Sequence, residues 1–327
     1  MSASEDARWL AAAAGLAARG RPLSRPNPAV GAIVIKDGLV VGRGWTQPGG
    51  RPHAEAQALA MAGDKAGGAT LYVTLEPCAH DSPRGPSCAN LVCASSLDRV
   101  VVGCDDPDPR TARIGMAAIR AAGIKVEIIR SEEVEESLAG YLMLRRQGRP
   151  HVTLKLATSL DGRIALASGE SQWITGEAAR AHSHAMRAKA DAILIGGGTQ
   201  RADTPRLDVR LPGLESRTPA RWVLTRGEAP EGWRALPSPQ AIWDMGEVQY
   251  LFVEGGAGAA AAFLRVGLVD RLLLYRAPIL IGEGKAGIGD IGLASLDEAH
   301  GRWRLADRRQ LGSDLLDVYE AAPCSQA

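Results

Sequence analysis

The chain has 327 residues, 46% of them apolar and 23% charged, with 38 Lys and Arg against 37 Asp and Glu. That length makes two domains the natural expectation, each long enough to bury its own core. The even charge balance argues against long-range attraction to nucleic acid or an anionic membrane, and no run approaches the roughly 20 apolar residues that a bilayer-spanning helix needs.

In chain order, Met1 to Gly20 reads as an amphipathic helix that Gly20 ends. Glu5, Asp6, Arg8 and Arg19 interrupt any signal-peptide core, so the cytoplasm is the expected location. Ala29 to Ile35 and Leu39 to Gly44 are β-type runs joined by Asp37-Gly38, a hairpin signal. His53 to Ala62 has helical composition. Strands are expected at Thr70–Leu75, Arg99–Gly103 and Ile124–Ile129, with helices at Ile114–Ala122 and Ser131–Gln147. Arg149-Pro150 is the expected boundary. Beyond it come strands at His151–Ala157, Ala192–Ile195, Arg221–Leu224, Tyr250–Val253, near Arg271–Tyr275 and at Asp314–Tyr319, and helices at Glu177–Ala190 and Ala257–Val266. Both halves are therefore α/β.

Five cysteines, Cys78, Cys88, Cys93, Cys104 and Cys324, argue against a disulfide framework. Four of them fall between residues 78 and 104, which favours metal or catalytic use for some. His53-Ala54-Glu55, Glu76-Pro77-Cys78 and Cys88 form the informative constellation. One imidazole and two thiolates suit zinc, and three protein ligands leave a fourth position for water. Zinc would bring that water's pKa towards neutrality. Glu55 then reads as the proton shuttle to the ring nitrogen and leaving amine of a substrate. Pro52 places His53 at a helix start, where His-x-Glu can converge. His-x-Glu with Pro-Cys and a second Cys is the zinc deaminase pattern. Nucleic-acid bases are disfavoured as substrates by the neutral charge and few aromatics. Cys93, Cys104 and Cys324 are assigned no chemistry.

The second half is less explicit. Gly196 to Gly198 and Gly255-Gly256 each follow a strand, where glycine lets backbone approach a pyrophosphate. Neither has Rossmann spacing, and each alone reads as a turn. His182 and His184 look like ordinary helix residues.

Asn27-Pro28-Ala29-Val30-Gly31, His53-Ala54-Glu55 and Thr74 to His80 resemble the deaminase half of the bifunctional riboflavin-biosynthesis deaminase–reductase family. Leu154-Lys155-Leu156-Ala157, Ser159 to Arg163, Ser168 to Thr175, Ala202 to Pro205 and Val253 to Gly256 resemble its reductase half. The resemblance implies a cytidine-deaminase-like domain over residues 1–148 and a dihydrofolate-reductase-like domain over residues 149–327. It implies zinc-dependent deamination of a diaminopyrimidinone ribosylamine 5′-phosphate, followed by NADPH-dependent reduction of ribosyl to ribityl. It implies that Asn27, His80 and Arg84 hold the first substrate, Arg84 pairing with phosphate. Ala157, Trp173, Thr199, Asp203, Gly255, Gly256, Ala257 and Gly258 are implied at NADPH. Lys155, Ser171, Arg187, Leu207, Arg210 and Glu254 are implied in the reductase site, with Arg187 and Arg210 as phosphate clamps. A homo-oligomer, dimer or tetramer, is implied through the reductase half.

Four departures from the family pattern stand out. Cys78 and Cys88 are separated by nine residues where the family has eight, an addition a loop absorbs cheaply. Thr46 replaces a common histidine. Asp108 replaces asparagine and would add negative charge near a substrate. The chain is some tens of residues short between Thr218 and Tyr250, where strand and helix would flank the cofactor. A trimmed reductase with a weakened NADPH site is therefore expected, and the alternative is a deaminase whose second half is only structural.

Overall fold

The computed structural model describes residues 3–322. Met1 and Ser2 of the expected first helix, and Cys324, lie outside the described residues. The chain divides into two compact units, Met1–Gly148 and Arg149–Ala327.

The first unit runs α1 (Ala3–Ala17), β1 (Gly31–Lys36), β2 (Leu39–Trp45), α2 (Ala54–Ala62), β3 (Thr70–Val73), α3 (Cys88–Cys93), β4 (Arg99–Val102), α4 (Ile114–Ala121), β5 (Lys125–Ile128) and α5 (Glu132–Gln147). The sheet order is β2-β1-β3-β4-β5. β1 is antiparallel to β2 and β3, and β3, β4 and β5 are parallel. Asp37 and Gly38 both take positive φ, the twist that suits a tight hairpin between right-handed strands. Ala32, Val34, Leu71, Val73 and the β4 valines Val100 to Val102 are fully buried in one core with Ala58 of α2 and Ile119 of α4. Ser131 caps α5 by accepting from the Val134 amide, and Gly148 closes it in the left-handed region.

Close packing sets where α2 begins. A Cβ on Gly44 of β2 would lie 2.3 Å from the carbonyl oxygen of Ala54. Glycine there lets the first turn of α2, which carries Glu55, sit directly on the sheet.

The second unit runs β6 (His151–Thr158), β7 (Arg163–Leu166), α6 (Glu177–Arg187), β8 (Ala192–Gly196), α7 (Gly197–Asp203), β9 (Ala220–Leu224), β10 (Arg234–Leu236), β11 (Tyr250–Val253), α8 (Ala257–Arg265), β12 (Arg271–Arg276), β13 (Gly284–Ala286), β14 (Trp303–Leu311) and β15 (Asp314–Ala321). Its main sheet has the order β10-β9-β8-β11-β6-β12-β15-β14, parallel from β10 to β12 and antiparallel beyond. β7 and β13 form a separate antiparallel pair. Neighbouring residues of β8 go to different cores: Ala192 and Leu194 to one, Ile193 and Ile195 to the other. Both faces of the sheet are thus covered, as parallel strands require.

The short segment between Thr218 and Tyr250 is not empty of structure. It holds β9, β10 and a short 3-10 helix, Pro239–Asp244. Leu236, Ile242, Met245 and Val248 are buried in the same core as Leu154 and Leu251. β7, β10, β13 and β14, and the short helices α3 and α7, go beyond the elements expected from sequence pattern.

Candidate active sites

In the first unit, three loops bring the donor atoms together. His53 is the N-cap of α2, in extended conformation, which aims its ring away from the helix. Cys78 lies past the end of β3, on the loop that begins at Thr74. Cys88 opens a helix: it is the first residue of α3, behind the capping side chain of Ser87. His53 Nδ1 is 3.3 Å from Cys88 Sγ and 3.5 Å from Cys78 Sγ. The Cys88 amide donates to Cys78 Sγ at 3.3 Å. The three ligand atoms lie within 4.8 Å of one another.

These residues fit a zinc ion. Nitrogen and sulfur atoms at tetrahedral zinc stand roughly 3.6 Å apart, given bonds of about 2.1 and 2.3 Å. Hydrogen bonds from Cys88, and then from His53, hold the Cys78 thiol far down, to about 4. Cys88 is pushed up by the same pairing and by burial, because one proton is shared between two close thiols. A divalent cation is what allows both to ionise. The His53 Nε2 is 3.0 Å from the Asn27 side-chain amide, which fixes the ring with Nδ1 towards the thiols.

Glu55, in the first turn of α2, is 3% exposed. Burial pushes its carboxyl up to about 7, against the opposing charge of His53. Asn27 also donates to the Gly50 carbonyl at 3.3 Å. Gly50 has φ +85 and a Cβ there would lie 2.6 Å from Asn27 Cγ, so only glycine fits. His80 keeps a buried Nδ1 with no hydrogen-bond partner among the described residues. Arg84 lines a cavity of about 420 Å³ with Arg51, His53, Cys88 and Leu91. Arg51 carries no motif signal in the sequence, and only the fold brings it to this cavity.

Ser82 and Gly85 exchange backbone hydrogen bonds of 3.2 and 3.0 Å, so the longer loop folds back on itself between the cysteines. Thr46 is buried and its hydroxyl accepts from the Val30 amide at 2.9 Å, a bond that ties the end of β2 to the start of β1. Asp108 is buried and paired with Arg110 at 2.6 Å, which holds its carboxyl down to about 2 and offsets the added charge. Glu76, unassigned from sequence, accepts from the Arg113 and Met116 amides at 3.0 and 3.3 Å and so caps α4 beside Pro77-Cys78.

In the second unit, a cavity of about 210 Å³ is lined by Lys155, Ala157, Ser171, Trp173, Glu254 and Gly255 of the expected residues, together with Arg180 and Thr175. Glu254 Oε2 is 3.5 Å from Lys155 Nζ and its Oε1 is 2.8 Å from Arg187 Nη2. Burial would push the Glu254 carboxyl up, but the Lys155 and Arg187 charges overcome this and hold it below the usual range. Arg187 is buried and also donates to the Asp208 carbonyl. Its guanidinium is thus committed within the protein, whereas Arg210 is half-exposed with a looser contact to Asp208 at 3.4 Å. Trp173 is 63% exposed, with the Arg180 guanidinium 4.8 Å from its ring centre. His182 Nδ1 is 2.8 Å from the buried Tyr275 hydroxyl, and Lys155 Nζ is 5.9 Å from that ring.

Arg187, Leu207, Arg210, Thr199, Asp203, Gly256, Ala257 and Gly258 do not line that cavity. β8 and β11 are adjacent and parallel, so Gly196–Gly198 and Gly255–Gly256 leave the sheet at the same edge. A Cβ on Gly256 would lie 3.2 Å from Thr199 Oγ1, which puts the two loops in contact. Ligands of open α/β sheets bind at this carboxyl edge.

Residues 3–104 match the family described as the cytidine and deoxycytidylate deaminase zinc-binding region, and residues 150–234 and 240–316 match the RibD C-terminal domain. Fold and sites therefore define a bifunctional enzyme, a cytidine-deaminase-like zinc domain joined to a dihydrofolate-reductase-like domain. Riboflavin biosynthesis protein RibD of Escherichia coli is 38% identical over 95% of this chain and 98% of its own length. Its counterpart in Corynebacterium ammoniagenes is 42% identical over 86% and 87%. The solved structure of Acinetobacter baumannii RibD has a TM-score of 0.85 at 35% identity, covering 98% of this chain and 99% of that one. The chain belongs to the RibD family of riboflavin biosynthesis proteins. It is a deaminase and a reductase acting on a small pyrimidine, with zinc and a nicotinamide cofactor; the purely structural second half is not favoured. The alignment with the E. coli protein runs over 361 positions, more than the chain's 327 residues, so this chain lacks residues that its relative has. Among the described residues no helix is long and apolar enough to cross a membrane.

Proposed function

We propose that a deaminase domain of residues 1–148 removes the exocyclic amine of 2,5-diamino-6-ribosylamino-4(3H)-pyrimidinone 5′-phosphate. A reductase domain of residues 149–327 then reduces the ribosyl unit to ribityl with NADPH. The observation that carries this reading is the meeting of His53, Cys78 and Cys88 beside buried Glu55 on a cavity edged by Arg84.

His53 Nδ1 and the two thiolates would hold the zinc. When bound, zinc supplies Lewis acidity that makes water nucleophilic near neutral pH. Glu55 takes one proton from the attacking water and gives it to the pyrimidine ring nitrogen, then takes the second from the hydroxyl of the tetrahedral adduct and gives it to the amine, which leaves as ammonia. Asn27 orients His53 and, with His80, faces the pyrimidine. Arg84 takes the phosphate.

In the reductase, bound NADPH would supply the hydride for C1′ of the ribosylamine, whose bond to the ring oxygen breaks while that oxygen takes up a proton and becomes a ribityl hydroxyl. Gly255, Gly256, Ala257 and Gly258, with Thr199 and Asp203, form the cofactor's phosphate and ribose edge, and Ala157 and Trp173 its nicotinamide side. Lys155, Ser171, Leu207, Arg210 and Glu254 hold the substrate. Arg187 acts by fixing Glu254. The family resemblance adds a cytoplasmic homo-oligomer, which light scattering on the purified chain would check.

The test is incubation with the diaminopyrimidine phosphate, with and without NADPH, followed by mass analysis. Loss of one amine without NADPH supports the first step, and a gain of two hydrogens only with NADPH supports the second. Release of no ammonia from the zinc-loaded chain would overturn the deaminase reading.

A further inference from the structure

We propose that Arg51 is a second phosphate-binding residue of the deaminase and closes a two-guanidinium clamp with Arg84; this rests on the deaminase reading above. Arg51 lies two residues before His53, and Arg84 lies four residues before Cys88. Both line the cavity that reaches the His53 ring. The two cross-lace the loops at its mouth. Arg51 Nη1 donates to the Pro86 carbonyl at 3.2 Å, and Arg84 Nη2 donates to the Gly49 carbonyl at 2.9 Å.

Each bond uses one of the five N–H donors of a guanidinium and leaves the rest free. Neither Arg51 nor Arg84 pairs with a carboxylate among the described residues. Two uncompensated cations on one small cavity repel each other, and a dianion between them removes that cost. The forked geometry suits a phosphate monoester bidentately. Loop-to-loop bonds hold both forks in place beforehand, so little side-chain freedom is lost on binding. Thr46 cannot contribute, because it is buried and its hydroxyl is engaged with Val30. Arg51 and Arg84 are the two guanidinium groups that line the cavity.

The experiment has two arms, on the full zinc-loaded chain. Ribose 5-phosphate is titrated calorimetrically into the wild type, Arg51→Ala and Arg51→Lys, any site in the second unit serving as unaffected internal reference. One class of site weakens at least about tenfold in Arg51→Ala, the size of one charge-assisted partner lost, and less in Arg51→Lys. Ammonia release is then compared for the phosphorylated pyrimidine and its dephosphorylated form. KM rises in Arg51→Ala for the phosphorylated substrate alone, with kcat and zinc content kept. No phosphate-dependent binding to the wild type, an Arg51→Ala constant within twofold of it, or equal effects on both substrates overturns the clamp. Ammonia release with an indifferent Arg51 sinks the clamp and spares the deaminase. Arg51-dependent binding without ammonia release does the reverse.

Discussion

Glu55 is engaged within the site, where its side chain hydrogen-bonds Cys88. It caps no helix with its side chain, lies outside the His53–Cys78–Cys88 ligand set, and is buried where an idle carboxylate would be costly. Glu55→Gln keeps the volume and removes the proton carrier. Ammonia release should fall about 10²- to 10⁴-fold while metal analysis still finds zinc at the wild-type ratio; loss of zinc in that variant would make Glu55 a ligand instead. Asp108 makes a different prediction, from pH. Its pair with Arg110 lowers the folded carboxyl from 3.8 to about 2. A carboxylate depressed on folding adds stability that is full above its unfolded value and disappears as pH falls through the folded one. Arg110→Ala should therefore be less stable than wild type in urea at pH 6, and the gap should close between pH about 4 and 2. A gap that persists at pH 2 would assign the loss to something other than this pair.

At the scale of elements, α1 is held to the sheet by charge as well as by Leu10 and Ala13. Asp6 accepts from Tyr72 of β3 at 2.7 Å and from Arg99 of β4 at 2.8 and 2.9 Å, and Arg99 also pairs with Glu127 of β5. One buried carboxylate thus joins a helix to neighbouring strands. Arg99→Met keeps the stem and leaves Asp6 buried without its cation, which should cost about 3 kcal/mol or more. Thermal unfolding monitored by circular dichroism checks this, and a change under about 1 kcal/mol would mean that water reaches Asp6. Apart from α3, the first-unit elements were legible because their signals are local: the Asp37-Gly38 turn, the Ser131 cap, the valine run of β4. β7, β13 and α7 were not, because three- to seven-residue pieces carry too little periodicity. Their partners come from distant sequence: β13 pairs with β7 across more than 110 residues.

For the whole molecule, each unit has its own sheet, its own core and its own cavity. Two reactions that share no residue should be separable by mutation. Glu55→Gln should retain reduction of the deaminated substrate, and Glu254→Gln should retain ammonia release. An equimolar mixture of the two variants with NADPH should recover the full conversion by mass analysis; failure, with both variants folded and singly active, would require direct transfer within one chain. The shortened stretch before Tyr250 belongs to this scale as well. Read linearly it is a loss of structure beside the cofactor. In the fold, Leu236, Ile242, Met245 and Val248 fill the core beneath β11, so the sheet keeps its edge.

The candidate zinc constellation was legible in sequence alone, since imidazole, thiolates and a carboxylate at those spacings have few other uses. So were the two-domain α/β organisation and the family. What tertiary structure decided is where uncommitted groups meet. Arg51 and Arg84 share a cavity because two loops fold towards each other. Gly196–Gly198 and Gly255–Gly256 share an edge because β8 and β11 are parallel neighbours. Lys155, Glu254 and Arg187 neutralise one another from three separate elements. Sequence spacing encodes chemistry within a turn or two of chain; proximity between segments tens of residues apart is set by packing, and no local pattern records it.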